Sequence, residues 1–161
     1  YNIENYMSFK LAEAVLRKEL TKALAPYGAY LEISDRLEVF PVERLSIYIN
    51  CRPCRSSGLP LSVEASDPLR MLEAIRPVLA SIADAEISSK ELKAYKEVIL
   101  NAYNAELQDM EALVDKALVR YSEGKDLVTG YKAAVSAVSA DSVRKILGLL
   151  RDGADVEYVI I

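Results

Sequence analysis

Hydrophobic positions in residues 6–24 recur every three or four residues, which is the period of one face of an α-helix. These positions are Phe9, Ala12, Leu16, Leu20 and Leu24. Pro26 and Gly28 follow directly, and both residue types end helices. The pattern therefore predicts an amphipathic helix over residues 6–24 with one buried face.

After this helix the hydrophobic period becomes two residues, which is typical of half-buried strands. The alternating segments are residues 29–33, 37–40 and 45–50, with residues 41–43 as a turn. We expect these segments to form an antiparallel hairpin. Residues 51–66 contain prolines, a glycine and several serines, so they are predicted to be a loop.

The next helix is predicted to begin after Asp67, because Asp is a favoured N-cap and Pro68 follows at the first helical position. Its expected buried face is Leu69, Leu72, Ile75, Leu79 and Ile82. A break at residues 84–87 should separate it from the helix that follows.

Ser88 and Glu91 have the spacing of a capping box, and Ile87 and Leu92 have the spacing of a hydrophobic staple. The pattern predicts that a helix begins at Ser89. Its apolar positions are Leu92, Tyr95, Ile99 and Ala102, and it is expected to continue or bend near Gln108.

Three more helices are predicted, at residues 110–121, at residues 126–138 and from Ser139 onward. The last has a staple-spaced pair, Val138 and Val143, and an apolar face of Val143, Ile146, Leu147 and Leu150. Gly153 stands where a left-handed residue would end this helix. The apolar run at residues 156–161 predicts a closing strand that is buried on both faces.

The order of these elements predicts an α+β fold: helices packed on one face of a small, mainly antiparallel sheet, in a single domain of residues 1–161. A sheet of three strands leaves an edge that invites another strand. Because the chain begins at Tyr1 with neither a starting Met nor a signal peptide, we interpret it as a piece of a longer chain or a processed product. Strands upstream of Tyr1 would then fill the edge.

Composition excludes several function classes. The chain has no histidine, so it lacks the usual general base and the commonest nitrogen ligand of zinc. The net charge is −4, and the lysines and arginines alternate with glutamates as on solvated helix faces. This does not favour nucleic-acid binding. No apolar run approaches the roughly 20 residues that span a membrane.

Cys51 and Cys54 form the only compact motif, Cys-x-x-Cys. A thioredoxin-type site would place the first thiol at a helix N-terminus, and no helix is predicted there. A zinc site would need a second pair of ligands. We expect a pair of thiols at a strand end, with a disulfide and redox chemistry as open alternatives. The carboxylates near helix ends are interpreted as caps: Glu64, Asp67, Asp84, Glu86, Asp109 and Glu111.

Taken in order, several segments resemble the C-terminal, non-catalytic domain of pitrilysin/insulinase-type (processing-peptidase-like) zinc metallopeptidases, especially the bacterial multidomain members. The resemblance covers nearly the whole chain and rests on order and spacing. The matching segments are Tyr1–Asn5 (similar to a Tyr-x-x-Glu-Asn helix opening), Phe40–Pro41, Ile47–Pro53, Ile87–Leu92, Arg120–Leu127, Val138–Val143, and Val156–Val159 after Gly153.

This resemblance implies a LuxS/processing-peptidase-like unit that lacks its N-terminal strands, in a clamshell of repeated units around a peptide chamber. The family's zinc is held in its first unit by an inverted H-x-x-E-H motif and a distal Glu. Without histidine, this chain cannot supply that motif. Family members that grip peptide through a later unit carry Arg-Glu-x-x-Gly-x-x-Tyr. Here Ala25 and Pro26 stand at the Arg and Glu positions, and Tyr30 is similar to the Tyr.

The expected function is therefore that of a catalytically silent structural domain of a zinc metallopeptidase, with no catalytic, cofactor-binding or metal-binding residue of its own. Its partners would be the other domains of the parent, with peptide substrate contacted at most indirectly, and zinc would be bound in another domain. The alternatives are a stand-alone protein-interaction module on the same fold and a small Cys-x-x-Cys redox protein. The compartment stays open, with the resemblance favouring the periplasm or cell envelope.

Overall fold

A computed structural model describes residues 2–38, 44–53, 67–153 and 157. Within these residues the fold is α+β, as predicted, with six α-helices and one antiparallel pair of strands. The elements are α1 (Ile3–Leu24), β1 (Ala29–Glu38), β2 (Arg44–Pro53), α2 (Pro68–Ser81), α3 (Ser89–Glu106), α4 (Met110–Glu123), α5 (Tyr131–Ala137) and α6 (Ala140–Arg151).

The helix α1 is the centre of the fold, and every position of its predicted apolar face is buried. It begins earlier than predicted because Asn2 caps it: the Asn2 side-chain oxygen accepts from the Glu4 backbone N–H at 2.8 Å. As expected, the helix ends before Pro26. A short 3-10 turn follows, and Gly28 takes the left-handed conformation, with φ of 55°, that reverses the chain into β1.

The two strands pair antiparallel in one unbroken register, from Ala29 opposite Pro53 to Glu38 opposite Arg44. Residues 34–36, between the predicted segments 29–33 and 37–40, continue the ladder of β1. The predicted loop also begins too early, since β2 extends through Pro53. The turn at 41–43 and loop residues 54–66 lie outside the described residues.

One face of this sheet packs on the helices. Its partly or fully buried side chains are Ala29, Leu31, Ile33, Ile47, Ile49 and Cys51, which contact the hydrophobic core. The helices that cover this face are α1 and α2. Among the described residues the sheet has two strands, and of the predicted closing strand at 156–161 only Glu157 is described. The Arg76 guanidinium of α2 makes a two-pronged ion pair with the Glu157 carboxylate, with contacts of 2.7 to 3.2 Å.

The start of α2 is as predicted, since the Asp67 side chain accepts from the Leu69 N–H at 2.9 Å. The predicted face is correct at Ile75 and Ile82 but wrong at Leu69, which is 52% exposed. Met71 is buried instead. It lies on the same side of α2 as Ile75, and Ile82 continues that side just after the helix ends.

The capping boxes confirm the starts of α3 and α6. The Ser88 hydroxyl accepts from the Glu91 N–H at 3.2 Å, and the Glu91 carboxylate accepts from the Ser88 N–H at 3.0 Å. Ser139 and Ser142 form the same arrangement at the start of α6. On α3 the buried residue is Tyr103 and not the predicted Ala102, which is exposed.

Two helix predictions near the chain's end need correction. The helix predicted over residues 126–138 is only the short α5, because the Asp126 side chain accepts from the Val128 and Thr129 N–H groups and holds a turn there. Gly130, with φ of 73°, then precedes α5. Gly153 is not left-handed, since α6 ends on Asp152 in a right-handed conformation.

Leu147 and Leu149 provide a matched test of this core, because both are on α6. Leu147 is fully buried and Leu149 is 63% exposed. We expect Leu147→Ala to lower the free energy of unfolding by about 2–5 kcal/mol through lost burial and a residual cavity. Leu149→Ala should change it by less than about 0.5 kcal/mol. Urea unfolding followed by circular dichroism measures both, and equal losses would contradict the described burial.

Candidate functional site

A cleft of about 520 Å³ lies between α1, the end of α2 and the start of α3. Its charged and polar lining residues are Lys18, Glu19, Lys22, Ser81, Asp84, Glu86, Ser88 and Glu91. Because six of these groups are ionisable and line a concave surface, the cleft is a place to look for chemistry.

Lys18 is at the centre of this cleft. Its Nζ lies 3.0 Å from a Glu91 carboxylate oxygen, 3.0 Å from Glu19 and 3.2 Å from the Glu86 backbone carbonyl oxygen. Burial lowers the pKa of the Lys18 amine, but the hydrogen bonds to Glu19 and Glu91 outweigh it and raise that pKa. Lys18 therefore stays charged and joins α1 to the start of α3.

Glu91 is held ionised as firmly. Hydrogen bonds from the side chain and backbone of Ser88, together with Lys18, lower the pKa of Glu91 to about 2. A general acid or base works best when its pKa is near the operating pH. Lys18 and Glu91 are held in their charged forms far from that range, so their pairing supports helix packing and not proton transfer.

A second polar network joins α1 to the sheet. The Lys10 amine pairs with Asp35 on β1, and the Arg17 guanidinium donates to the Ile33 backbone carbonyl oxygen at 2.9 Å. Glu13 lies between them, 3.6 Å from Lys10 and 3.3 Å from Arg17. Burial lowers the pKa of Lys10, while Tyr6, Asp35 and Glu13 raise it and prevail. This network, too, holds its lysine in the charged form.

Tyr103 and Tyr131 stack with their ring centroids 3.9 Å apart and their planes 5° apart. The Tyr103 hydroxyl donates to the Val128 carbonyl oxygen at 3.2 Å, and burial raises the pKa of Tyr131 to about 12. The stacked rings fix the short α5 against α3, and burial keeps the Tyr131 phenol neutral.

The thiol of Cys51 is free and faces the core side of the sheet. Burial raises its pKa, whereas a reactive redox cysteine needs a lowered one. Cys54 lies outside the described residues, as does Glu64. The capping interpretation is confirmed at Asp67 and at Asp109, whose side chain accepts from the Glu111 N–H at 2.9 Å.

The positions tied to the family's substrate grip do not form a cluster. Ala25 and Pro26 lie in the 3-10 turn after α1, and Tyr30 lies on the solvent side of β1. The charged group near the Tyr30 ring is Arg52, whose guanidinium carbon is 4.7 Å from the ring centroid. In the part of the chain that the structure describes, no three His, Cys, Asp or Glu side chains meet as metal ligands. The residues present do not fit the zinc site of the peptidase family.

One feature was missed from the sequence: α4 has no buried residue and carries an exposed apolar stripe. The stripe consists of Met110 (76% exposed), Val114 (51%), Leu118 (59%) and Tyr121 (96%). Positions 4, 8 and 11 residues apart return to one side of a helix, so these four side chains are neighbours. On the other side, Val119 is half-buried and Lys116 Nζ pairs with Glu106 of α3 at 2.6 Å.

Comparison with known proteins identifies no relative, so an assignment of function depends on the fold and on these surfaces. The chain matches no known protein-family profile, no curated protein and no solved structure. A search of the described helices for a segment long and apolar enough to cross a membrane also finds none.

The lowered pKa of Glu91 predicts a pH-dependent contribution to stability. A carboxyl whose folded pKa is below its ordinary value of 4.5 stabilises the fold above that value, and the contribution is lost as the pH falls from 4.5 through about 2. We expect Glu91→Gln to be less stable than wild type at pH 7, with the difference disappearing near pH 2. Urea unfolding across this range measures it.

The matched control is Glu97→Gln, since Glu97 is an exposed carboxylate on the same helix, 4.0 Å from Lys93. It should change the free energy of unfolding at pH 7 by less than about 0.5 kcal/mol. A deficit of Glu91→Gln that stays constant from pH 7 to pH 2 would refute the capping and ion-pair account.

Proposed function

We propose that this chain is a catalytically silent structural unit that packs against other parts of a larger protein. The observation that carries the proposal is the α4 stripe of Met110, Val114, Leu118 and Tyr121. Monomeric proteins rarely expose contiguous apolar patches, and those that do use them as contact sites. A helix with no buried residue of its own is stabilised when another polypeptide covers such a stripe.

The sequence resemblance supports a zinc metallopeptidase of the pitrilysin type as the parent protein. In that setting this unit would form part of the wall of the peptide chamber, and zinc would be held by another domain. Two observations agree with a silent role: the chain contains no histidine, and the cleft residues Lys18 and Glu91 are fixed in their charged forms.

The second candidate is a stand-alone protein-interaction module, which the same α4 stripe supports. An H-x-x-E-H motif several hundred residues upstream in the reading frame would favour the peptidase. The thiol of Cys51 makes the small redox protein the weakest candidate, because burial raises its pKa.

Catalytic silence is tested by adding zinc to the purified chain and assaying unfolded peptides. We expect no turnover above the buffer rate and no zinc retained after dialysis, because the chain lacks the nitrogen ligands of the family's site. Turnover above background that depends on the chain would refute the proposal.

Availability of the stripe is tested with two lysine substitutions on α4. Val114 is exposed on the stripe and Val119 is half-buried on the opposite side. We expect Val114→Lys to change the free energy of unfolding by less than about 0.5 kcal/mol and to reduce binding of a hydrophobic dye. Val119→Lys should cost more than about 1 kcal/mol, because it places a charge against the packed side. The reverse order would show that the stripe belongs to the chain's own core.

A further inference from the structure

The two faces of the β1–β2 sheet have different chemistry. The side chains that contact the core are Ala29, Leu31, Ile33, Ile47, Ile49 and Cys51, all at odd-numbered positions. The even-numbered side chains form the opposite face, because successive residues of a strand alternate. We call this second face the outer face. Its residues are Tyr30, Glu32, Ser34, Arg36 and Glu38 on β1, and Arg44, Ser46, Tyr48, Asn50 and Arg52 on β2.

The outer face carries three arginines and two glutamates, a net charge of +1, while the whole chain has a net charge of −4. Tyr30 and Tyr48 are 45% and 53% exposed on it. Arginine and tyrosine are the residue types that binding interfaces favour, and they dominate binding energy when a partner covers them.

The arginines lie at the two ends of the outer face. At one end Arg52 lies opposite Tyr30, with its guanidinium over that ring. At the other end Arg44 lies opposite Glu38, and Arg36 pairs with Glu38 at 3.2 Å. At about 3.4 Å per residue step, the six steps from position 30 to position 36 span roughly 20 Å.

Small polar side chains and Tyr48 occupy the middle of this span. Ser34 lies directly opposite Tyr48, and Asn50 lies opposite Glu32. A serine beside a tyrosine leaves room for a chain to lie along the ring. The outer face therefore has arginines at both ends, one of them paired with Glu38, and it has Tyr48 and the Glu32 carboxylate between them.

We propose that the outer face binds an extended, acidic polypeptide segment. Its carboxylates pair with Arg52 at one end and with Arg36 and Arg44 at the other, and its main chain lies along Tyr48. Glu32 and Glu38 disfavour a ligand that is negatively charged along its whole length, such as a phosphate backbone, so the segment is acidic at its two ends and uncharged between them. The proposal concerns a different surface from the α4 stripe, so either can fail without the other.

The test uses the full chain and a fluorescein-labelled peptide of about ten residues, with two glutamates at each end and uncharged residues between them, long enough to span the outer face when extended. Fluorescence anisotropy measures the dissociation constant. We expect saturable binding by wild type, and at least about tenfold weaker binding by the double variant Arg36→Glu and Arg52→Glu. The same peptide with lysine in place of glutamate should not bind.

The matched control is Lys90→Glu with Lys93→Glu, which reverses the same number of charges at exposed positions of α3. We expect it to bind the acidic peptide within about twofold of wild type, since exposed charges away from the surface contribute little. Equal weakening by both double variants would refute a defined site, because it would show that binding depends only on the net charge of the chain. Absence of binding by wild type would refute the proposal as well.

Two further measurements test the role of Tyr48 and the folding of the variants. Tyr48→Ser removes the platform without changing charge and should weaken binding about threefold or more, while circular dichroism confirms that each variant is folded. If the charge-reversed variant does not fold, Arg44→Gln with Tyr48→Ser replaces it and should also weaken binding. A single-stranded RNA that binds more tightly than the acidic peptide, and loses binding with Arg36→Glu and Arg52→Glu, would overturn the choice of partner.

Discussion

Burial of α1 is the interaction on which the rest of this fold depends. Its buried residues are Met7, Ser8, Phe9, Leu11, Ala12, Val15, Leu16, Leu20 and Leu24, and its neighbours include β1, α2, α3, α5 and α6. Each large apolar side chain contributes about 1.5–3 kcal/mol when it is fully buried. None of these neighbours has an apolar face as extensively buried as that of α1. The other elements of the core are therefore organised by their contact with this helix.

Polar contacts at the margins of α1 set the positions of its neighbours. Lys10 pairs with Asp35 of β1, and Lys18 pairs with Glu91 at the start of α3. The buried Ser8 hydroxyl lies 3.1 Å from that of Ser142, which belongs to the capping box of α6. These polar side chains pair with other segments of the same chain. This explains why Lys18 and Glu91 in the cleft between α1 and α3 contribute to packing.

Sequence patterns predicted the parts of the fold that are decided locally. The face of α1, the N-cap Asp67 and the capping box of Ser88 and Glu91 depend on residues within one or two turns, and all were predicted correctly. The errors arose where a side-chain hydrogen bond or packing against distant residues determines the local structure or its burial. Asp126 diverts two backbone N–H groups from a helix, and Leu69 has a suitable period but no neighbour to cover it.

The α4 stripe could not be predicted from the sequence, because its exposure depends on distant packing. The period of α4 indicates a helix with an apolar side, but the period alone does not say whether the rest of the chain covers that side. The core around α1 closes without it, so Met110 and Tyr121 stay exposed. Alternation likewise placed Tyr30 and Tyr48 on strands without revealing that the outer face also gathers arginines at its ends.

These two surfaces differ in chemistry, and the difference constrains what covers them. The α4 stripe is apolar and suits a permanent neighbour, because water would otherwise meet four large side chains. The outer face is polar, with charges that remain favourable in water, and suits an occupant that comes and goes. A structural unit fixed on one side and open to an acidic segment on the other needs no catalytic group of its own. That arrangement agrees with a chain in which every ionisable group of the central cleft with a resolved pKa shift is held in its charged form.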